Sequence, residues 1–189
     1  MLSELQQNKL AYFFSLLDLN RNDLLQHNDF SDMAEQVRVK LDLEEGSAEH
    51  KYVAEKSIRL FHQLLSDISP KEHQSIRKDE WLSFFESEFS DPVNEDVLET
   101  YQELIYLYVF DFFDHNRDGF ITKDEYKWFF EIFKLDEGYL DKSFSKLDSN
   151  GDSKVSRYEM LAAIEDFLIS SDSDSAGNWA FGNWTVSPK

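Results

Sequence analysis

Oxygen-bearing side chains recur at fixed intervals in two twelve-residue stretches, Asp114–Glu125 (DHNRDGFITKDE) and Asp148–Glu159 (DSNGDSKVSRYE). In the first, Asp114, Asn116 and Asp118 offer oxygens at positions one, three and five. The backbone carbonyl of Phe120 serves at position seven, and Thr122 at position nine can hold a bridging water. Glu125 at position twelve can grip an ion with both oxygens. Gly119 stands at position six, where the chain turns sharply and glycine does so freely. Hard oxygen ligands in this order suit a hard divalent cation, calcium first and magnesium second. The second stretch repeats the set with Asp148, Asn150, Asp152, the Lys154 carbonyl, Ser156 through water, and Glu159. Ser153 replaces the glycine there. A left-handed backbone at a non-glycine residue costs on the order of 1 kcal/mol, so this loop is expected to bind less tightly than its partner.

Asp18–Asp29 (DLNRNDLLQHND) has the same layout with weaker chemistry. Asp18, Asn20 and Asn22 fill the first three ligand positions, the Leu24 carbonyl position seven, Gln26 position nine and Asp29 position twelve. Asn22 removes a charge, and Asp29 is a methylene shorter than Glu. The contracted site is expected to be weaker and to admit Mg2+. Asp23 at position six tolerates a positive φ better than most residues. The sequence therefore predicts two strong Ca2+ sites and one weaker, magnesium-tolerant one.

Loops of this kind need a helix on either side, and the apolar spacing supplies them. Eight, four and one residues before each loop stand Leu10, Phe14 and Leu17; Tyr106, Phe110 and Phe113; Leu140, Phe144 and Leu147. The same three spacings recur in Phe61, Leu65 and Ile68, and place a pseudo-loop at Ser69–Glu80. Its first three ligand positions are Ser69, Lys71 and His73, which cannot cage a cation. The following helices carry matching stripes: Phe30, Met33 and Val37; Trp81, Phe84 and Phe85; Tyr126, Phe129 and Phe133; Met160, Ile164 and Phe167. A single helix–loop–helix cannot bury such a face, so the repeats must pack together. Position-eight residues are expected to pair in short strands, Leu25 with Ile76 and Ile121 with Val155. Ser3 and Gln6 are placed to cap a helix from Ser3 to Leu17. Further helices are predicted over Phe30–Leu43 and Ala48–Leu65, parted by an acidic turn at Glu45 and Gly46. Asp91 and Pro92 divide the halves. The apolar run Leu104–Phe113 is too short to span a bilayer and is predicted to lie deep in the core.

Composition sets bounds on partners. A net charge of −19 leaves no basic surface to offset nucleic-acid phosphates. There is no cysteine, which excludes disulfide and thiolate chemistry and fits a reducing cytosol. The N-terminus lacks the basic-then-apolar layout of a secretion signal. Near the C-terminus, Trp179, Phe181 and Trp184 punctuate a Ser/Asp/Gly segment and are expected to dock rather than hang free.

These loops are EF-hand motifs, and the whole chain resembles the sarcoplasmic calcium-binding proteins. That family includes calerythrin and calexcitin and is related to luciferin-binding proteins. The likeness rests on a first loop ending in Asp29–Phe30, a vestigial second loop, intact third and fourth loops, long helices between loops one and two, and a C-terminal segment after the last helix. It implies an all-α fold: four EF-hand units in two pairs, forming one globule. Residues 1–91 would hold the first pair and 92–170 the second, with 171–189 docked between the halves. It also implies a cytoplasmic monomer that buffers Ca2+ and Mg2+.

Two other functions compete with buffering. A sensor would open a Met-rich groove to a protein partner, yet only Met1, Met33 and Met160 are present. A carrier would enclose a hydrophobic small molecule among the 17 Phe, 8 Tyr and 4 Trp. Catalysis has no constellation: His27, His50, His62, His73 and His115 show no metal or triad spacing. The sequence is read as that of a non-enzyme.

Overall fold

The computed structural model describes residues 1–69, 74–90 and 94–186. Helix α1 (Glu4–Leu17) starts at Ser3, whose hydroxyl accepts the Gln6 N–H while the Gln6 side chain accepts the Ser3 N–H, the expected capping box. The first loop leads to β1 (Leu24–Gln26) and α2 (His27–Lys40), and a turn with Gly46 at φ +80° leads to α3 (Ala48–Ile68), capped by Ser47. Then come β2 (Ser75–Arg77), α4 (Lys78–Glu88), α5 (Glu95–Phe113), β3 (Phe120–Thr122) and α6 (Lys123–Ile132). A 3-10 turn at Glu137–Tyr139 precedes α7 (Leu140–Leu147), β4 (Lys154–Ser156), α8 (Arg157–Ile169) and a last 3-10 turn, Ala176–Trp179. Helix α2 begins three residues before the predicted Phe30, inside the loop itself, and α3 runs on beyond Leu65 to Ile68. Lys71, His73, Asp91 and Pro92 lie outside the described residues.

The two strand pairs are antiparallel. β1 pairs with β2 with Leu25 opposite Ile76, and β3 with β4 with Ile121 opposite Val155. All four of those side chains are fully buried. This is the register read from position eight, because a one-residue slip would turn each apolar residue outward.

Aromatic rings fill the core. Trp81 is fully buried, its indole N–H donates to the Leu10 carbonyl at 3.0 Å, and its ring meets Phe85 edge-on at 4.8 Å. The expected stripes before the three acidic loops are buried throughout. Two expectations are corrected. In α3 the buried face is Val53, Ser57, Leu60, Phe61 and Leu64, while Leu65 and Ile68 are only half-buried. This helix packs along α2 and α5 over much of its length, and that contact, rather than its pseudo-loop, sets its inward face. Helix α5 is not enclosed on all sides: Ile105, Val109 and Phe112 are buried, but Leu107 is 41% exposed.

The C-terminal segment is packed in. Phe181 stacks on Phe13 of α1 at 4.8 Å and meets Phe167 of α8 edge-on at 4.8 Å. The Tyr12 hydroxyl donates to the Phe181 carbonyl at 2.7 Å, and the Tyr126 hydroxyl to that of Ala180 at 3.1 Å. Lys9 is wholly buried, and its ammonium donates to the carbonyls of Asp166 (3.3 Å) and Ser170 (2.8 Å) and to Asn178 Oδ1 (2.9 Å). Burial lowers its pKa to about 8, the nearby Asp166 charge offsetting only part of that cost.

Candidate metal centres

Each acidic loop is a strand-ended turn between two helices, held by its own carboxylates. In the third, Asp114 Oδ1 accepts the N–H of Asp118 at 3.1 Å and Oδ2 that of Gly119 at 2.9 Å. In the fourth, Asp148 accepts from Asp152 (3.0 Å) and Ser153 (2.9 Å). The first loop repeats this at Asp18, which accepts from Asn22 (3.2 Å) and Asp23 (2.9 Å). Position five next binds the N–H of position seven: Asp118 to Phe120, Asp152 to Lys154 and Asn22 to Leu24, at 2.9 to 3.0 Å. That bond turns the position-seven N–H away and leaves its carbonyl for another partner.

Position twelve does double duty. Glu125 Oε2 accepts the Thr122 N–H at 2.9 Å and its hydroxyl at 2.7 Å, and Glu159 Oε2 does the same with Ser156. These are helix N-caps as much as loop contacts, since positions nine and twelve satisfy the first orphan N–H groups of α6 and α8. The vestigial hand keeps this half of the arrangement: Glu80 accepts the Arg77 N–H at 2.9 Å. A cap is useful to a helix with or without an ion.

Backbone geometry agrees across the loops. Position six has positive φ at Asp23 (60°), Gly119 (83°) and Ser153 (68°), as the spacing requires. Position four is also left-handed, at Arg21 (58°), Arg117 (57°) and Gly151 (74°). Only Gly151 signals this in the sequence, because arginine has no preference for such a conformation.

The first loop departs where expected. Asp29 is 1% exposed, and its Oδ1 accepts the Asn20 side-chain amide at 2.8 Å, whereas in the fourth loop position three reaches position twelve through its backbone N–H, Asn150 to Glu159 at 3.2 Å. The shorter carboxylate is thus reached by a neutral donor. Burial raises the Asp29 pKa, partly offset by N–H donors from Gln26 and Asn20. Burial likewise raises that of Asp114, with Asp118 and Glu125 adding to it. Glu159 is also pushed upward by burial, but donors from Ser156, Ser149 and Asn150 outweigh that and leave it low.

Among the described residues no three His, Asp or Glu side chains are gathered into a cage by themselves. The loop acids are turned to N–H and hydroxyl groups of their own loops instead. The chemistry fits a hard cation. Loops three and four each offer three carboxylates, one amide oxygen and one carbonyl; the first offers two carboxylates. Sequence reasoning did not find Lys9, Asn178 or the side chain of Lys154, whose partners lie in other elements.

Residues 106–165, which hold the third and fourth loops, match the EF-hand domain pair family. The chain thus contains an EF-hand pair. It is 26% identical over 175 residues to calerythrin of Saccharopolyspora erythraea, a match that covers 88% of this chain and 94% of calerythrin. The fold is that of the coelenterazine-binding protein of Renilla muelleri in its calcium-loaded apo form (TM-score 0.75, 18% identity, 96% of this chain and 99% of that one). It is equally that of the amphioxus sarcoplasmic calcium-binding protein (TM-score 0.70, 16% identity, 97% and 100%). The chain is thus similar in fold to both solved structures along nearly its full length. Among its described residues no helix is long and apolar enough to cross a membrane.

Proposed function

We propose that this protein is an intracellular Ca2+/Mg2+ buffer, non-catalytic and cytoplasmic, with three working loops. Two Ca2+ ions are held by Asp114, Asn116, Asp118, Phe120 and Glu125, and by Asp148, Asn150, Asp152, Lys154 and Glu159. A weaker site that accepts Mg2+ is formed by Asp18, Asn20, Asn22, Leu24 and Asp29. The halves 1–91 and 92–170 each act as a pair, with the C-terminal segment between them. The observation that carries this reading is the shared scaffold in all three loops, in which position one accepts two loop N–H groups and position five fixes the carbonyl of position seven.

Buffering is favoured over sensing by what fills the core. Trp81 meets Phe85, and Phe167 meets Phe181, at 4.8 Å, and Met33 and Met160 are buried rather than lining a groove. Carriage inside the core is disfavoured by volume. The apolar cavity bounded by Phe13, Leu60, Trp81, Tyr108 and Phe181 measures about 30 Å³, while even benzene needs roughly 150 Å³.

Calorimetric titration of chelator-stripped protein tests the reading. Two strong Ca2+ sites and one weaker, magnesium-competed site are expected, with Glu125→Gln and Glu159→Gln each removing one strong site. Failure to take up Ca2+ at micromolar levels would overturn it. A calcium-induced rise in hydrophobic-dye binding would replace buffer with sensor.

A further inference from the structure

The third and fourth loops differ at one oxygen. In each, the position-five carboxylate gives Oδ1 to the backbone: Asp118 to the Phe120 N–H at 2.9 Å, Asp152 to the Lys154 N–H at 3.0 Å. Oδ2 is what remains for an ion. On Asp118 that oxygen is already held, by the Lys154 ammonium at 3.7 Å and the Asn116 amide at 3.2 Å. On Asp152 it has no such partner among the described residues. Lys154 reaches Asp118 because β4 lies beside β3, with Lys154 paired to Thr122, and its ammonium sits 4.8 Å above the Phe120 ring. Position seven is Leu24 in the first loop and Phe120 in the third; the fourth alone of these three places a cation there.

We propose that Lys154 sets the order in which the paired loops fill: its ammonium competes with the divalent ion for Asp118, so the fourth loop binds Ca2+ more tightly than the third. This reverses the ranking that Ser153 alone suggests, and it rests on the reading of both loops as calcium sites. Two effects act in one direction. Before binding, the ammonium stabilises the ion-free Asp118; after binding, it is a positive charge beside a divalent one. The pair is partly exposed, with 43% of the Lys154 side chain and 38% of Asp118 open to water. An ion pair of that kind changes an equilibrium by about two- to fivefold. Repulsion from the bound ion extends this to about tenfold at low salt. One residue thereby serves both loops, its carbonyl in the fourth and its side chain in the third.

The position-six amides of Gly119 and Ser153, each bonded to its own loop's first carboxylate, report the two sites separately by NMR in a calcium-buffered series. In the unmodified protein Ser153 should respond at lower free Ca2+ than Gly119. Lys154→Met, which keeps the backbone carbonyl, should raise the affinity reported by Gly119 about three- to tenfold. Lys154→Arg should restore the weaker value. Raising salt from about 50 to about 500 mM should shrink the difference between the Met variant and the unmodified protein. A Gly119 response that comes first, or that Lys154→Met leaves unchanged or weakens, overturns the proposal while leaving both loops as calcium sites. If neither amide responds to Ca2+, the calcium-site reading itself fails and the proposal falls with it.

Discussion

Replacing Gly177 with alanine should detach the C-terminal segment, and the size of the effect follows from the contacts. A Cβ at this position would lie 2.5 Å from Asp166 Cβ and 2.6 Å from both the Ala163 carbonyl oxygen and Asp166 Oδ2. Carbon atoms pack at roughly 3.5–4.0 Å, so the 3-10 turn must move about 1 Å off α8. The Gly177 N–H bond to Asp166 Oδ2, 2.7 Å long, goes with it. A shift absorbed locally costs about 1–3 kcal/mol. If the turn lifts instead, Phe181, now 1% exposed, loses burial worth about 1.5–3 kcal/mol. Its ring pairs with Phe13 and Phe167 add about 0.5–1.5 kcal/mol each. We therefore expect Gly177→Ala to destabilise the calcium-saturated protein by about 3 kcal/mol, read by urea unfolding, with a fall in Tm of roughly 6–12 °C for a chain of this size. Phe181→Ala should cost about 3–5 kcal/mol, and the double variant little more than the worse single one, since both act by freeing one segment. A Gly177→Ala cost below about 1 kcal/mol, or full additivity with Phe181→Ala, would refute the reasoning.

Two further outcomes follow. Lys9 has a pKa of about 8 in the folded chain against 10.5 unfolded. Between those values the unfolded state holds more protons, so stability should rise with pH from about 8 to about 10.5. Unfolding measured across that range should show this slope in the unmodified protein and not in Lys9→Met; equal slopes would deny that the buried ammonium is strained. In the first loop, Asp29→Glu lengthens a carboxylate now met by the Asn20 amide, and Ca2+ affinity should rise relative to Mg2+. Calcium titration with and without millimolar Mg2+ checks this, and an unchanged preference would count against the contracted-site account.

Much of the architecture was legible because it depends on short-range rules. The strand registers Leu25–Ile76 and Ile121–Val155 follow from one apolar residue at position eight of each repeat, and the Ser3–Gln6 cap from two residues three apart. The shared turn geometry of the three loops could be read for the same reason, since a loop of twelve consecutive residues carries its own spacing. What escaped notice depends on elements distant in the chain. Lys9 looks like a solvent-facing lysine until the end of α8 and Asn178 are folded over it. The buried face of α3 was misplaced because the spacing of the other three repeats was extended to a helix whose packing answers to α2 and α5.

The vestigial hand explains why a dead loop is retained. Ile76 still completes the strand pair with Leu25, and Glu80 still caps α4 at the Arg77 N–H, although Ser69 stands where an acid would begin a cage. Trp81, at the start of that helix, bonds the Leu10 carbonyl of α1, the helix that leads into the first loop. Ligand residues in that loop are not needed for packing, whereas losing Ile76 or Trp81 would open the core beneath the first loop. On this view the second repeat is the fixed wall against which the first loop closes. The backbone geometry of the proposed two-carboxylate site is thereby supplied by packing and need not be created by a metal.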